Sequence, residues 1–163
     1  MGAVMVTGAA GFIGSHLCEA LLSRGERVVG LDNFDHYYDP QVKRRNVTDS
    51  LNNPAFSLHE ADVCDASTVG SLVRSEGVDR VVHLAALAGV RASVKRAADY
   101  VQVNVRGTCN VLEAALHARV AHVVVASTSS VYGASRECPF VETDAADHPL
   151  APYPATKRAA ELL

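Results

Sequence analysis

The sequence predicts an α/β fold, a doubly wound parallel sheet with helices on both faces. Three observations lead there. Short apolar runs alternate with stretches of helical periodicity. The runs are apolar at consecutive positions, as strands are when both faces of a parallel sheet are covered. A glycine-rich segment joins the first run to the first helix, where such folds turn a strand into a helix. The 163 residues are a one-domain length, read as a single unit 1–163. A chain of this size buries about 70% of the surface its unfolded form exposes.

The elements follow in order. Val4 to Val6 is the first strand and Phe12 to Arg24 the first helix, with Ile13, Leu17, Leu21 and Leu22 on one face. Val28 to Leu31 is the second strand. Residues 33–54 are polar and irregular, a loop with a short helix around Gln41 to Asn46. Phe56 to Leu58 is a weaker strand. Ala66 to Glu76 is a helix, with Asp65 as its N-cap because a carboxylate there accepts the helix's first free N–H groups. Val81 to Leu84 is a buried strand. Ala97 to His117 is one long helix, with Val101, Val105, Thr108, Leu112 and Ala115 at three- and four-residue spacing. Val123 to Val125 is a β-branched strand. A loop with Pro139, Pro149, Pro152 and Pro154 leads into a last helix, Tyr153 to Leu163.

Composition excludes several classes. Apolar residues are 48% and charged residues 20%, with a formal net charge of −3. No basic stripe points to nucleic acid, and no apolar run approaches a membrane span. The N-terminus has no basic stretch ahead of its apolar run, so no export signal is expected and the location expected is cytoplasmic. Cys18, Cys64, Cys109 and Cys138 show no paired spacing and read as free thiols. The histidines show no metal-ligand spacing, and no metal is assigned.

Thr7-Gly8-Ala9-Ala10-Gly11-Phe12-Ile13-Gly14 lies between the first strand and first helix. A dinucleotide site needs one glycine for the tight turn, one where pyrophosphate approaches the backbone and one for close helix packing. The helix N-terminus then offers free N–H groups to the phosphates. The spacing alone also fits an ordinary structural turn. Asp32 ends the second strand, about 20 residues on, where a carboxylate accepts the adenosine ribose hydroxyls and repels a 2′-phosphate. The two together predict a Rossmann-type site for NAD rather than NADP.

Tyr153 and Lys157 are four residues apart and share a helix face. Such a pair is also an ordinary surface feature, but it has a chemical use. A free tyrosine ionises near pH ~10, so a phenolate at neutral pH needs roughly 4 kcal/mol of added stabilisation. A neighbouring ammonium supplies part of it. Ser127, Thr128, Ser129 and Ser130 follow the strand Val123 to Val125, at the strand end where open α/β sheets bind ligands. A Ser/Thr-rich loop is the plainer reading of the same residues.

With these pieces in place, the chain resembles the extended short-chain dehydrogenase/reductase family, in its nucleotide-sugar epimerase/dehydratase branch. TGAAGFIGSHL, LDNF, HLAALAGVR, NVRGTCNVLEAA, STSSVYG and PYPATK occur in family order across nearly the whole chain. The resemblance implies that Tyr153 is the catalytic base, that Lys157 holds the nicotinamide ribose and tunes Tyr153, and that Thr128 positions the sugar C4 oxygen. It implies that Gly8, Gly11, Phe12, Ile13 and Gly14 line the pyrophosphate and that Asp32 and Asn33 take the adenosine ribose. Asp62 and Val63 would contact adenine, Leu84, Ala85 and Ala86 would line the cofactor, and Asn104 would sit behind the site. Arg91, Ser93, Ser129 and Ser130 would contact the substrate.

LDNFDHYYDPQVKRRN, AGVRAS and FVETDAADHPLAPYPATKRAAELL are most similar to UDP-glucuronate 4-epimerases, which usually carry an aromatic residue where this chain has Ala92. The implied reaction is transient oxidation at C4 of a UDP-sugar. A UDP-glucose 4-epimerase, another nucleotide-sugar dehydratase or decarboxylase, and a non-catalytic NAD-binding module stand as alternatives. Ser129 and Ser130 beside Thr128, where dehydratases of this branch usually carry acids, argue against dehydration. The family also carries a C-terminal substrate domain, expected beyond Leu163. Its homodimer uses the last helix, which leaves the assembly state open here.

Overall fold

A computed structural model describes residues 2–135 and 139–163. The strand-forming runs are rich in valine, whose branched side chain suits a pleated sheet covered on both sides. They form β1 (Ala3–Thr7), β2 (Val28–Asp32), β3 (Phe56–Glu60), β4 (Val78–His83) and β5 (His122–Val125). All pair in parallel in the order β3-β2-β1-β4-β5. That is the order of a Rossmann sheet, and the crossover reverses beside β1. Every residue of β1 and β2 is buried.

Alternation along the central strands supplies two cores. Ala3, Met5, Val29, Leu31 and Val81 pack with Val69 and Val73 of α3 (Ala66–Ser75) and Val111 of α6 (Thr108–His117). Val4, Val6 and Val28 face the other way, against Leu17, Cys18 and Leu21 of α1 (Phe12–Ser23). The doubly wound expectation therefore holds, with α1 on one face and α3 and α6 on the other. The Asp65 carboxylate caps α3, accepting from Ser67 N–H at 3.0 Å and Thr68 N–H at 3.1 Å.

One short helix agrees with the reading of the sequence and two stretches differ from it. The polar segment after β2 contains α2 (Pro40–Asn46), started by Pro40 and capped by Asp39. A short helix not expected from the periodicity, α4 (Val90–Lys95), follows Gly89, whose φ of 93° suits glycine. The expected long helix is interrupted. α5 (Ala97–Tyr100) widens into a π-helical stretch, Val101–Gly107, before α6 resumes. The Thr108 hydroxyl donates to the Asn104 carbonyl at 2.6 Å, a side chain competing with the helix ladder at that point. The last helix, α7 (Pro152–Leu162), packs on the π-helical stretch, α4, α5 and the 3₁₀ turn Ser129–Tyr132. Among the described residues, no helix is long and apolar enough to cross a membrane. Cys18, Cys64 and Cys109 are free thiols, and Cys138 lies outside the described residues.

Candidate active site

The carboxyl ends of β1, β2 and β4 meet at the glycine turn. Gly8 has φ 71°, and a Cβ there would lie 2.9 Å from the Ala85 backbone nitrogen. A Cβ on Gly14 would lie 2.0 Å from the Gly8 carbonyl oxygen. Gly8 therefore makes the turn, and Gly14 lets α1 press onto it. Gly11 begins α1 with no side-chain cap, so the first N–H groups of the helix stay free for an anion.

Beside the turn is a cavity of about 450 Å³, within the range of small-molecule and cofactor sites. Gly8, Gly11, Phe12, Asp32, Asn33, Asp62, Val63, Leu84, Ala85 and Ala86 all line it, so ten of the expected cofactor residues share one space. Ile13, Gly14, Asn104, Tyr153 and Lys157 are not among its walls. Ile13 is 68% exposed on α1, and Gly14 is behind the turn.

Asp32 is not a solvated loop carboxylate but a buried one. Its Oδ1 accepts from Phe34 N–H at 2.8 Å and from the Lys43 ammonium at 3.0 Å, and its Oδ2 accepts from Ala10 N–H at 3.1 Å. Asn33 donates to Asp62 at 2.9 Å across the opening. Asp62 is held below the usual carboxylate range. Its burial acts the other way, and the Cys64 N–H and Asn33 amide outweigh it.

Behind the cavity runs a polar chain that the sequence did not announce. The Thr7 hydroxyl oxygen accepts from the N–H groups of Leu84 and Ala85, both at 3.2 Å, and is 2.6 Å from His83 Nδ1. His83 Nε2 is 3.0 Å from the Thr108 hydroxyl, whose proton goes to Asn104. With its oxygen accepting two N–H bonds, Thr7 donates to Nδ1, so the proton of a neutral His83 is on Nε2. Burial drives this imidazole down to about 4, and the charge of Lys157 adds to the effect. Asn104 is equally enclosed. Its Oδ1 accepts from Leu87 N–H at 2.8 Å, and its Nδ2 donates to the Leu87 carbonyl at 3.0 Å and the Thr156 hydroxyl at 3.1 Å.

Thr156 links this chain to α7, donating to the Tyr153 carbonyl at 2.8 Å. The Tyr153 ring meets Tyr100 edge-on, with centroids 6.2 Å apart. Lys157 is 4% exposed and near enough to His83 to perturb it. Burial holds its ammonium below the usual lysine range, opposed by Glu161. Among the described residues it has no ion-pair partner within 4.0 Å. Thr128 precedes the 3₁₀ turn and accepts from Ser130 N–H at 3.2 Å. Ser127 donates to Glu161 instead of facing a ligand. Arg91 and Ser129 are exposed and Ser130 is half-buried. Ser93 is 0% exposed, and its hydroxyl donates to the Val90 carbonyl at 2.6 Å, so as placed it is committed to α4 rather than open to a sugar.

Residues 4–163 match the NAD dependent epimerase/dehydratase family. The chain belongs to this family. UDP-glucuronate 4-epimerase 1 of Arabidopsis thaliana is 44% identical over 159 residues, covering 97% of this chain and 37% of that protein. The crystal structure of UDP-glucuronic acid 4-epimerase from Bacillus cereus, in complex with UDP-glucuronic acid and NAD, superposes with a TM-score of 0.89 at 38% identity. It covers 98% of this chain and 50% of that one. A UDP-glucose 4-epimerase from Stenotrophomonas maltophila, with bound NAD and formylated UDP-arabinopyranose, gives 0.85 at 33% identity, over 99% of this chain and 47% of that one. The chain thus spans about half the length or less of these relatives.

The epimerase/dehydratase family is NAD-dependent, and both solved relatives hold NAD. The residues here fit that group. A Cβ would fill the space at Gly8, α1 presents uncapped N–H groups, and a buried carboxylate stands at the end of β2. Sequence reasoning missed Thr7, His83, Lys43 and Tyr100. For His83 a signal existed, a polar residue inside the apolar run Val81 to Leu84. Lys43 stood within the short helix expected around Gln41 to Asn46, but nothing in its spacing tied it to Asp32.

Proposed function

We propose that the protein is a NAD-dependent nucleotide-sugar 4-epimerase that interconverts UDP-glucuronate and UDP-galacturonate. One observation carries the reading: Tyr153 and Lys157 stand one turn apart on α7, and Lys157 is buried beside neutral His83 at the carboxyl end of β4. The Arabidopsis and Bacillus relatives, both named as UDP-glucuronate 4-epimerases, support this choice of sugar.

Bound NAD would supply the hydride acceptor and donor for sugar C4. The chain's own residues do the rest. The α1 N–H groups receive the pyrophosphate, and Asp32 and Asn33 receive the adenosine ribose. Tyr153 as phenolate accepts the proton of the C4 hydroxyl while the C–H bond breaks. The Lys157 ammonium lowers the cost of that phenolate. Thr128 steadies the C4 oxygen, and Arg91, Ser129 and Ser130 are the proposed sugar contacts. After the 4-keto sugar turns over, the Tyr153 phenol gives its proton back to the C4 oxygen.

Incubating the full-length protein and NAD with UDP-glucuronate, and separately with UDP-glucose, tests the reading by identification of products. The galacto epimer of UDP-glucuronate is expected. Y153F should cut turnover by about 10²–10⁴-fold with NAD still bound. Turnover of UDP-glucose alone would overturn the sugar, and turnover of neither would overturn the enzyme.

A further inference from the structure

The cavity wall holds a cation, Lys43, that the proposed reaction does not use. Lys43 on α2 reaches across to Asp32, 3.0 Å from Oδ1, with 11% of its side chain exposed and 3% of its partner's. Both residues line the cavity. Lys43 Nζ is also 5.6 Å from the centre of the Tyr38 ring, another cavity residue. An ammonium has three donors, and these contacts leave room for one more toward the cavity.

The surroundings hold this pair in place. Asn46, one turn further along α2, donates to the Ala10 carbonyl at 3.0 Å, which fixes the helix against the glycine turn. Phe34 is buried with φ 52°, a conformation that costs a non-glycine residue about 1 kcal/mol or more. Its N–H donates to the same Asp32 oxygen that takes Lys43. Arg44 is engaged elsewhere, 3.2 Å from Glu60 and stacked on Phe34. Lys43 is therefore a buried cation built into the cavity wall beside Asp32.

We propose that Lys43 determines, together with Asp32, which dinucleotide this site accepts. Its ammonium neutralises Asp32 and fixes its oxygens for the ribose hydroxyls. With the carboxylate removed, the same ammonium is free to bind a 2′-phosphate. Rejection of NADP then belongs to the balance of the pair, not to Asp32 alone. This rests on the reading of Asp32 as the ribose acceptor.

The test measures NAD and NADP affinity, by calorimetry on the full-length protein, for wild type, K43M, K43R, D32S and D32S/K43M. K43M should bind NAD about tenfold more weakly without gaining NADP, because a charge-assisted bond that ordered Asp32 is lost. K43R should recover most of that loss. D32S should gain NADP affinity by about tenfold or more, and D32S/K43M should lose the gain. Thermal melts of each variant show which remain folded. If K43M misfolds, comparison of D32S with D32S/K43M, which leaves no buried carboxylate unpaired, decides alone. NAD binding by K43M equal to wild type, or NADP binding by D32S/K43M equal to D32S, overturns the proposal. If D32S keeps full NAD affinity, the ribose reading of Asp32 itself fails, and that outcome is distinct from failure of Lys43.

Discussion

The proposed nucleotide half of the site and its proposed catalytic edge are built in opposite ways. At the nucleotide half, β1 and β2 are buried throughout, and both carboxylate oxygens of Asp32 have partners. At the catalytic edge, Val124 of β5 is 58% exposed, Leu150 72% and Leu162 72%. There a buried ammonium, Lys157, has no ion-pair partner within 4.0 Å among the described residues. The first region is held by packing and satisfied hydrogen bonds. The second keeps a charge in a costly place, as a group must be if its proton affinity is to be tuned. Stability and chemistry reinforce each other in the first region and compete in the second.

The sharpest way to break this comparison is to add one methyl group at the glycine turn. G14A places a Cβ 2.0 Å from the Gly8 carbonyl, backbone against backbone, so neither side can give way. A loss of about 3 kcal/mol or more is expected in denaturant unfolding. Gly25 is the control. Its φ is 78° and nothing lies within 4 Å of its Cβ position, so G25A should cost only about 1 kcal/mol of backbone strain. Equal losses in the two variants would mean that the turn is not held by close packing.

His83 joins the two regions, touching Thr7 on one side and feeling Lys157 on the other. Its imidazole is lowered from 6.5 to about 4 by burial first and by Lys157 second. Between those values the unfolded chain binds a proton that the folded chain refuses. His83 therefore contributes its stability fully above pH 6.5, and that stability falls as pH drops toward about 4. The loss across the window is about 3 kcal/mol, and below about 4 it levels off. Asp62, Asp65, Glu26 and Glu161, all held below their ordinary values, also weaken the fold in acid. The difference between wild type and H83Q isolates the histidine. The pH slope of unfolding free energy between 4 and 6.5 should be shallower in H83Q, and parallel slopes would show that the imidazole titrates freely in the folded protein.

The same contrast governs what the sequence could reveal. Strand and helix periodicity, the glycine spacing and the distance from Gly14 to Asp32 are local, and the sheet and the cofactor wall follow from them. The Tyr153–Lys157 pair was legible for the same reason, being one helical turn. What escaped is set by tertiary contact. The π-helical widening at Asn104 depends on Leu87 and Thr156, 17 and 52 residues away in the chain. The Lys43–Asp32 pair depends on how α2 docks, and the inward turn of Ser93 on how α4 packs. Apolar spacing along 97–117 cannot report a hydrogen bond that opens the helix from the side.

The smallest effect is the one that tests the competition directly. Lys157 is buried, its ammonium disfavoured by that burial, with Glu161 only partly offsetting it. Glu161 keeps other partners when Lys157 is removed, since it accepts from Ser127 and pairs with Arg158 at 2.8 Å. K157M keeps the length of the side chain and removes the charge, and methionine fills irregular space readily. The variant should therefore gain about 1 kcal/mol, roughly 2–4 °C in melting temperature without cofactor, while turnover is lost. At neutral pH the gain should be present, and it should shrink as pH rises, because the wild-type lysine, with its folded value below the unfolded one, recovers stability as it sheds its proton. A lower melting temperature for K157M would show that the ammonium is held by favourable contacts, and the catalytic edge would then be built like the nucleotide half after all.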